Sequence, residues 1–178
     1  MQESIAATLC SAEWKGDLAT LGATFDQPDS SGNTPLHLAC QNNKFQVVEW
    51  LLNNTSVNVN GTNHKSGETA LHQASQQGHL QIVKYLVAKG ANVNHTDPQG
   101  WTPLMVATFQ GWPDIVTFFV KETQVDVTKR STSRVAELED AVDPMYHIPP
   151  GSNALTIAEI MADGGDVIFK PIVASLRV

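Results

Sequence analysis

The chain of 178 residues lacks the features that mark several large classes of protein. It has no apolar run near the roughly 18 residues of a membrane-spanning helix, so we expect no membrane segment. Its first residues have neither a basic segment nor a long apolar core, so we expect no secretory signal. The two cysteines, Cys10 and Cys40, give no disulfide framework. Together these absences favour a reduced compartment, the cytoplasm or the nucleus.

The sequence also lacks the familiar motifs of catalysis and of cofactor binding. It contains no phosphate-cradling G-x-x-x-x-G-K, no G-x-S-x-G and no pair of histidines at metal-binding spacing. Nothing in it places a nucleophile, a base and an oxyanion donor together. We therefore predict no catalytic residue, no cofactor and no metal, and we expect that the protein is not an enzyme.

Positive charge is scarce. The chain has 11 lysines and arginines against 18 acidic residues, which gives a net charge of −7. Nucleic-acid binding needs a basic patch, so we expect no nucleic-acid partner. The region from Glu122 to Asp166 holds nine acids and three bases, and therefore carries −6 of the total. Such a field favours a basic protein partner through electrostatic steering, unless it only forms a solvated surface that keeps the protein soluble.

A short motif occurs three times in the chain. It reads GNTPLHLA from Gly32, GETALHQA from Gly67 and GWTPLMVA from Gly100. The three glycines are almost evenly spaced along the chain. Self-similarity at a period of about 33 residues indicates an architecture of stacked repeats.

Each copy of the motif carries the signals of two helices joined by a turn. A threonine precedes the apolar residues of each copy and is expected to cap the first helix. These three threonines are Thr34, Thr69 and Thr102. Gly78 and Gly111 are expected to separate the first helix from the second. Asn43 takes that place in the first copy, because asparagine also tolerates the left-handed conformation.

These residues resemble the ankyrin repeat, whose mark is a turn, a T-P-L-H-x-A run and two helices. The resemblance is clear over about residues 29–128 and degenerate at both ends. It implies an all-α ankyrin-repeat solenoid of stacked helix-turn-helix units with short finger or β-turn loops. In this family the histidine of the motif bonds neighbouring turns, so His37 and His72 are expected to be structural. The resemblance implies a non-catalytic protein–protein interaction module, of adaptor, inhibitor or chaperone type, expected to be a monomer on its own.

The repeat spacing divides one predicted domain, residues 1–178, into six segments. They are an N-terminal cap unit (1–28), three full units (29–61, 62–95 and 96–128), an insertion (129–150) and a C-terminal cap unit (151–178). The insertion is inferred because the stretch from Thr128 to Gly151 is much longer than the corresponding stretch from Asn94 to Gly100. Long insertions in repeat proteins lie on one face, often the binding face. Pro171 is expected to interrupt the centre of the last helix.

Candidate partner-binding residues follow from the resemblance, which places variable side chains on the concave side and at the turn tips. In the first two full units the positions are polar: Ser30, Ser31, Asn33, Gln41 and Asn42, then Lys65, Ser66, Glu68, Gln76 and Gln77. In the third full unit they are Pro98, Gln99, Trp101, Phe109 and Gln110. The insertion adds the acidic residues Glu137, Glu139, Asp140 and Asp143.

Two aromatic side chains distinguish the third unit, and aromatic residues commonly anchor interfaces inside a charged rim. We therefore expect the partner to contact Trp101, Phe109 and the acidic insertion. The alternative is that both rings pack under residues 129–150, which would place the contact on the polar set of the first two full units. A different functional class also stays open: a regulatory subunit or an enzyme that acts through the 129–150 insertion.

Overall fold

A computed structural model describes residue 25 and residues 27–132, 148–163 and 169–177. Within these residues the chain forms eight α-helices and no strand, apart from one isolated bridge between Thr62 and Thr69. The fold is therefore all-α, as predicted. The chain divides into two compact bodies: an N-terminal body, residues 1–92, and a C-terminal body, residues 93–178.

The N-terminal body contains two helical hairpins. Helices α1 (Pro35–Gln41) and α2 (Phe45–Asn54) form the first hairpin, and α3 (Ala70–Gln76) and α4 (Leu80–Ala88) form the second. The hairpins are stacked, because α1 packs against α3 and α2 packs against α4. Each short first helix is thus covered by its own partner and by the first helix of the neighbouring hairpin.

The C-terminal body repeats this arrangement. Helices α5 (Pro103–Phe109) and α6 (Pro113–Glu122) form one hairpin, and α7 (Ala154–Asp163) and α8 (Phe169–Leu176) form the other. Helix α5 packs against α7, and α6 packs against α8. No helix in the described part of the chain is long and apolar enough to cross a membrane.

The first helices begin where the sequence predicts. Thr34, Thr69 and Thr102 are extended residues that immediately precede α1, α3 and α5. The predicted breaks between first and second helices are also observed. Gly78 and Gly111 have φ angles of 79° and 75°, and Asn43, which replaces glycine in the first full unit, has a φ of 55°.

The core is built from the apolar positions that face a neighbouring helix. Three small residues, Ala39, Ala74 and Ala107, have no exposed surface, which agrees with close approach of the helices around them. Larger side chains fill the remaining space, and Leu71 in α3 is only 1% exposed. Interiors packed in this way are sensitive to the loss of a few methyl groups.

The buried imidazole of His37 links two neighbouring turns of the N-terminal body. Its Nε2 lies 3.1 Å from the carbonyl oxygen of Glu68, which only accepts hydrogen bonds, so Nε2 carries the proton. Its Nδ1 then accepts from the backbone N–H of Thr34 at 3.3 Å and from the Thr34 hydroxyl at 2.8 Å. This confirms the structural role expected for His37. Burial lowers the pKa of His37.

His72 makes the corresponding contacts with Thr69. Its Nδ1 lies 2.8 Å from the Thr69 hydroxyl oxygen and accepts from the Thr69 N–H at 3.2 Å. In the third full unit Met105 stands in place of this histidine. There Thr102 caps the helix alone, since its hydroxyl oxygen accepts from the N–H of Met105 at 3.2 Å.

Some sequence expectations differ from the structure or fall outside it. The interruption expected at Pro171 is not observed, because α8 is described from Phe169 to Leu176 and continues through Pro171. Most of the N-terminal cap unit and most of the 129–150 insertion, with Glu137, Glu139, Asp140 and Asp143, lie outside the described residues. The six-segment division of the chain stays a prediction.

Replacing Leu71 by alanine should lower the free energy of unfolding by about 2–5 kcal/mol, because the change leaves a cavity in a fully packed site. Gln81 is exposed on α4 of the same body and serves as a control. Gln81→Ala should change stability by less than about 0.5 kcal/mol. Denaturant unfolding measures both. A smaller loss for Leu71→Ala than for Gln81→Ala would contradict the core described for this body.

The protein should lose stability as the pH falls below about 6.5, the ordinary pKa of histidine. Burial holds the folded pKa of His37 below that value, so the unfolded chain takes up the proton first and unfolding becomes more favourable. Protonated Nδ1 also cannot accept from Thr34. The measurement is denaturant unfolding between about pH 7 and pH 5.

The control for this pH dependence is a variant that is destabilised without losing a titrating group. Leu71→Ala should keep the wild-type slope of unfolding free energy against pH, whereas His37→Gln should show a shallower slope. Equal slopes in His37→Gln and in the wild type would show that His37 does not cause the acid sensitivity.

Candidate functional site

The candidate surface is built from turn tips, and in each of the three full units one short polar side chain closes the tip. At the start of the first full unit, Oδ1 of Asp29 accepts from the N–H of Ser31 at 2.8 Å and from that of Asn33 at 2.9 Å. The backbone closes the same turn, because Asp29 N–H donates to the carbonyl of Asn33 and Gly32 N–H donates to that of Asp29. Gly32 has a φ of 85°, a backbone conformation that residues other than glycine rarely adopt.

The turn of the third full unit has the same hydrogen bonds. Oδ1 of Asp97 accepts from the N–H of Gln99 at 2.9 Å and from that of Trp101 at 2.7 Å. The Asp97 N–H donates to the carbonyl of Trp101, and the Gly100 N–H donates to that of Asp97. Partial burial raises the pKa of Asp97, against the opposing effect of the N–H groups that its carboxylate accepts from.

Asn63 joins two neighbouring turn tips in the N-terminal body. Its Oδ1 closes its own turn by accepting from the N–H of Lys65 at 2.7 Å and from that of Ser66 at 2.9 Å. Its Nδ2 reaches back to the preceding turn, where it donates to Oδ1 of Asn33 at 2.6 Å and to the carbonyl of Ser31 at 3.3 Å. Asn63 is only 5% exposed, so these four bonds are shielded from water, and the two that Nδ2 donates fix the two tips to each other.

The sequence reasoning missed Asn63, although a signal for it exists. Residues with a short oxygen-bearing side chain recur at equal intervals along the chain: Asp29, Asn63, Asp97 and Ser131. The side-chain oxygens of Asp29, Asn63 and Asp97 accept from the backbone N–H two residues further on, which closes the turn. Oγ of Ser131, in contrast, has no hydrogen-bond partner in the part of the chain that the structure describes. The recurrence therefore marks the turn tips more regularly than the glycines do.

The polar residues predicted for the first two full units lie at this surface, but they differ in solvent exposure and in hydrogen bonding. Gln41, Asn42 and Gln77 are exposed. Asn33 is half-buried and held by Asn63. Glu68 is also half-buried, and its carboxylate accepts from the hydroxyl of Ser66 at 3.0 Å and from Nε2 of Gln73 at 2.7 Å. Gln76 is half-buried, whereas Ser30, Ser31 and Lys65 are exposed.

The aromatic pair of the third full unit is buried. Trp101 is 7% exposed and Phe109 is 9% exposed. Their ring centroids lie 5.6 Å apart at an interplanar angle of 83°, an edge-to-face contact that favours packing. The expectation of two outward-facing rings was therefore wrong, and packing of the pair under residues 129–150 stays a prediction. Partner contact by these two residues stays a prediction.

The exposed surface near this pair comes from other predicted residues. Pro98 and Gln110 are exposed and Gln99 is half-buried. Trp112, which precedes α6 and was not predicted as a site residue, is 39% exposed. The C-terminal body therefore offers a mixed surface of amide and apolar groups.

A fourth turn closes between residues that are distant in sequence. Ser131 N–H donates to the carbonyl of Ser152 at 2.9 Å, and Gly151 N–H donates to that of Ser131 at 2.8 Å. Among the described residues this is the backbone pattern of Asp97 and Gly100 without its side-chain bonds, and Ser131 and Gly151 are much further apart in the sequence. Thr132 N–H also donates to the carbonyl of Gln99 at 2.8 Å, which ties this turn to the preceding one. Residues 133–147 lie outside the described part, and the predicted insertion stays a prediction.

Comparison with known proteins agrees with the repeat structure. A family model described as ankyrin repeats (3 copies) matches residues 9–97 and 57–131, which together make up more than half of the chain. Protein phosphatase 1 regulatory subunit 27 from Homo sapiens is 38% identical over 62 residues. The matched region is 34% of this chain and 38% of the human protein, so the chain spans little more than a third of that relative.

The described residues hold no group of three or more histidine, cysteine, aspartate or glutamate side chains that could bind a metal ion. What they do hold is a set of turn tips and helical hairpins, the elements that ankyrin repeats use for protein–protein interaction. The stacked hairpins, the recurring turns and the match over residues 9–131 show that the chain belongs to the ankyrin-repeat family.

Proposed function

We propose that this protein is a non-catalytic binding module that holds a protein partner on the turn tips and first helices of its N-terminal body. The observation that supports this most directly is the network around Asn63, which closes its own turn with two hydrogen bonds and fixes it to the preceding tip with two more. A surface that is already ordered before binding loses less conformational entropy when a partner docks.

The two turn tips are also held together by the close approach of their backbones. His64 N–H donates to the carbonyl of Gly32 at 3.1 Å. A Cβ atom at Gly32 would lie 2.7 Å from Oδ1 of Asn63 and 3.0 Å from the backbone nitrogen of Lys65. Only glycine fits between the tips, so their spacing is set by close contact with the buried Asn63 side chain and with neighbouring backbone atoms.

The chemistry of the exposed side chains suits a polar protein surface. Gln41, Asn42 and Gln77 offer amide groups that both donate and accept, and Lys65 offers one ammonium. Near-neutral amide surfaces recognise a partner by hydrogen-bond geometry more than by long-range attraction. The predicted acidic residues of the insertion would add steering toward a basic partner, and their contribution stays a prediction from charge alone.

A regulatory role at a phosphatase is a second, narrower candidate. It is favoured by the similarity to protein phosphatase 1 regulatory subunit 27, whose name describes a regulatory and not a catalytic component. The shared 62 residues correspond to about two repeats, so the resemblance concerns the binding scaffold. An enzyme acting through residues 129–150, the alternative left open by the sequence, has no support from either comparison.

Changing Gln41, Gln76 and Gln77 together to alanine should weaken binding of a partner captured with the wild-type chain by about 1–2 kcal/mol, the loss expected for interface side chains. Calorimetry with the purified partner measures the affinity. Gln81→Ala is the matched control, because it removes an exposed glutamine from a second helix and should leave affinity unchanged.

The same measurement on Trp101→Ala with Phe109→Ala decides between the two surfaces. Because both rings are buried, this variant should lose stability, and its folded fraction should still bind. If it stays folded and loses binding while the glutamine variant binds normally, the contact surface belongs to the C-terminal body and the proposal is wrong.

The phosphatase candidate predicts that the full chain binds the purified catalytic subunit of protein phosphatase 1 and changes its activity on a phosphoprotein. The glutamine variant should reduce both effects, and Gln81→Ala should reduce neither. Absence of association at about micromolar concentrations would remove this candidate, and would leave the broader binding module to be judged with the captured partner.

A further inference from the structure

Two asparagines make the same clamp in the two bodies of the chain. In the N-terminal body, Nδ2 of Asn60 donates to the carbonyl of Gly90 at 3.2 Å, and its Oδ1 accepts from the N–H of Asn92 at 2.7 Å. Each clamp ties the loop after one second helix to the loop after the next, because its partners lie 30 and 32 residues further along the chain.

The clamp of the C-terminal body has matching geometry. Nδ2 of Asn94 donates to the carbonyl of Gln124 at 3.0 Å, and its Oδ1 accepts from the N–H of Asp126 at 2.7 Å. The sequence separations are again 30 and 32 residues. The two asparagines therefore differ little in the hydrogen bonds that they make.

They differ in the residue that follows. Asn60 is followed by Gly61, and this is the only Asn-Gly dipeptide in the chain, whereas Asn94 is followed by His95. An asparagine side chain can be attacked by the backbone nitrogen of the next residue. Glycine has no Cβ to hinder that approach or to restrict the backbone, so Asn-Gly is the most reactive pairing.

We propose that Asn60 is a site of spontaneous deamidation whose reaction is held back by the folded clamp. The Gly61 nitrogen loses its proton to water or hydroxide and bonds to Cγ of Asn60, and the side-chain nitrogen leaves as ammonia. The resulting five-membered succinimide then takes up one water. Opening at one carbonyl gives aspartate, and opening at the other gives isoaspartate with the backbone routed through Cγ.

The fold opposes this reaction at both reacting atoms. The attacking nitrogen is engaged, because Gly61 N–H donates to the carbonyl of Asn58 at 2.9 Å. The Cγ of Asn60 is held by the two clamp bonds to Gly90 and Asn92. Attack requires release of all three hydrogen bonds, so it proceeds from a locally opened state.

The product would weaken the contact that protected it. An aspartate at position 60 has no side-chain N–H to donate, and its negative charge would face the carbonyl oxygen of Gly90. An isoaspartate would also lengthen the backbone by one carbon and displace the carboxylate. Each deamidated molecule should therefore open this loop more readily than an intact one.

The test compares both asparagines in the same protein. The full chain is incubated at neutral pH, either native or unfolded in concentrated urea, and deamidation is followed at each site by peptide mapping with mass spectrometry. In urea, Asn60 should react at least about tenfold faster than Asn94, because only glycine leaves the attacking nitrogen unhindered. In the native protein, the rate at Asn60 should fall at least about tenfold below its rate in urea.

Three substitutions sharpen the comparison. His95→Gly should make Asn94 as reactive as Asn60 in urea, and Gly61→Ala should slow Asn60 there; neither result depends on folding. Asn60→Asp should lower the denaturant midpoint of the chain below that of the wild type. Equal rates at Asn60 and Asn94 in urea, equal rates at Asn60 in the native and unfolded chain, or an unchanged midpoint in Asn60→Asp would each overturn the proposal.

Discussion

In the three full units, the closure of the turn by one short side chain is the interaction on which the rest of the structure depends. The oxygen of Asp29 or Asp97 gathers backbone N–H groups that the turn would otherwise leave unpaired. The closed turn is followed by Thr34 or Thr102, whose backbone is extended and which immediately precedes the first helix. The position of each first helix, and hence of each hairpin in its stack, follows from a few atoms at the tip.

The helices of this fold were predictable because their ends are set locally. A threonine cap, a proline at the first helical position and a residue that tolerates positive φ act over one or two turns of chain. The starts at Thr34, Thr69 and Thr102 and the breaks at Gly78 and Gly111 were therefore legible in the sequence. The structural role of His37 was also predictable, because the histidine at this position of the ankyrin motif hydrogen-bonds the neighbouring turn.

The candidate surface was only partly predictable, because exposure depends on what lies above a residue. The variable positions correctly gave Gln41 and Gln77 as exposed, since no other described residue of the N-terminal body buries them. The same rule failed for Trp101 and Phe109, which occupy such positions and are buried against each other. The reach of Asn63 to the preceding turn was also hidden, because it needs the distance between two turns that are 30 residues apart.

The fourth turn shows that the backbone bonds of a turn can form even when a long segment of chain separates the residues that make them. Ser131 and Gly151 meet in the geometry that Asp97 and Gly100 adopt with only two residues between them. Because closure entropy grows with the logarithm of loop length, the longer connection costs on the order of 2 kcal/mol more. A turn tip of this kind can thus accept an inserted recognition sequence, by evolution or by design, without changes to the hairpins on either side.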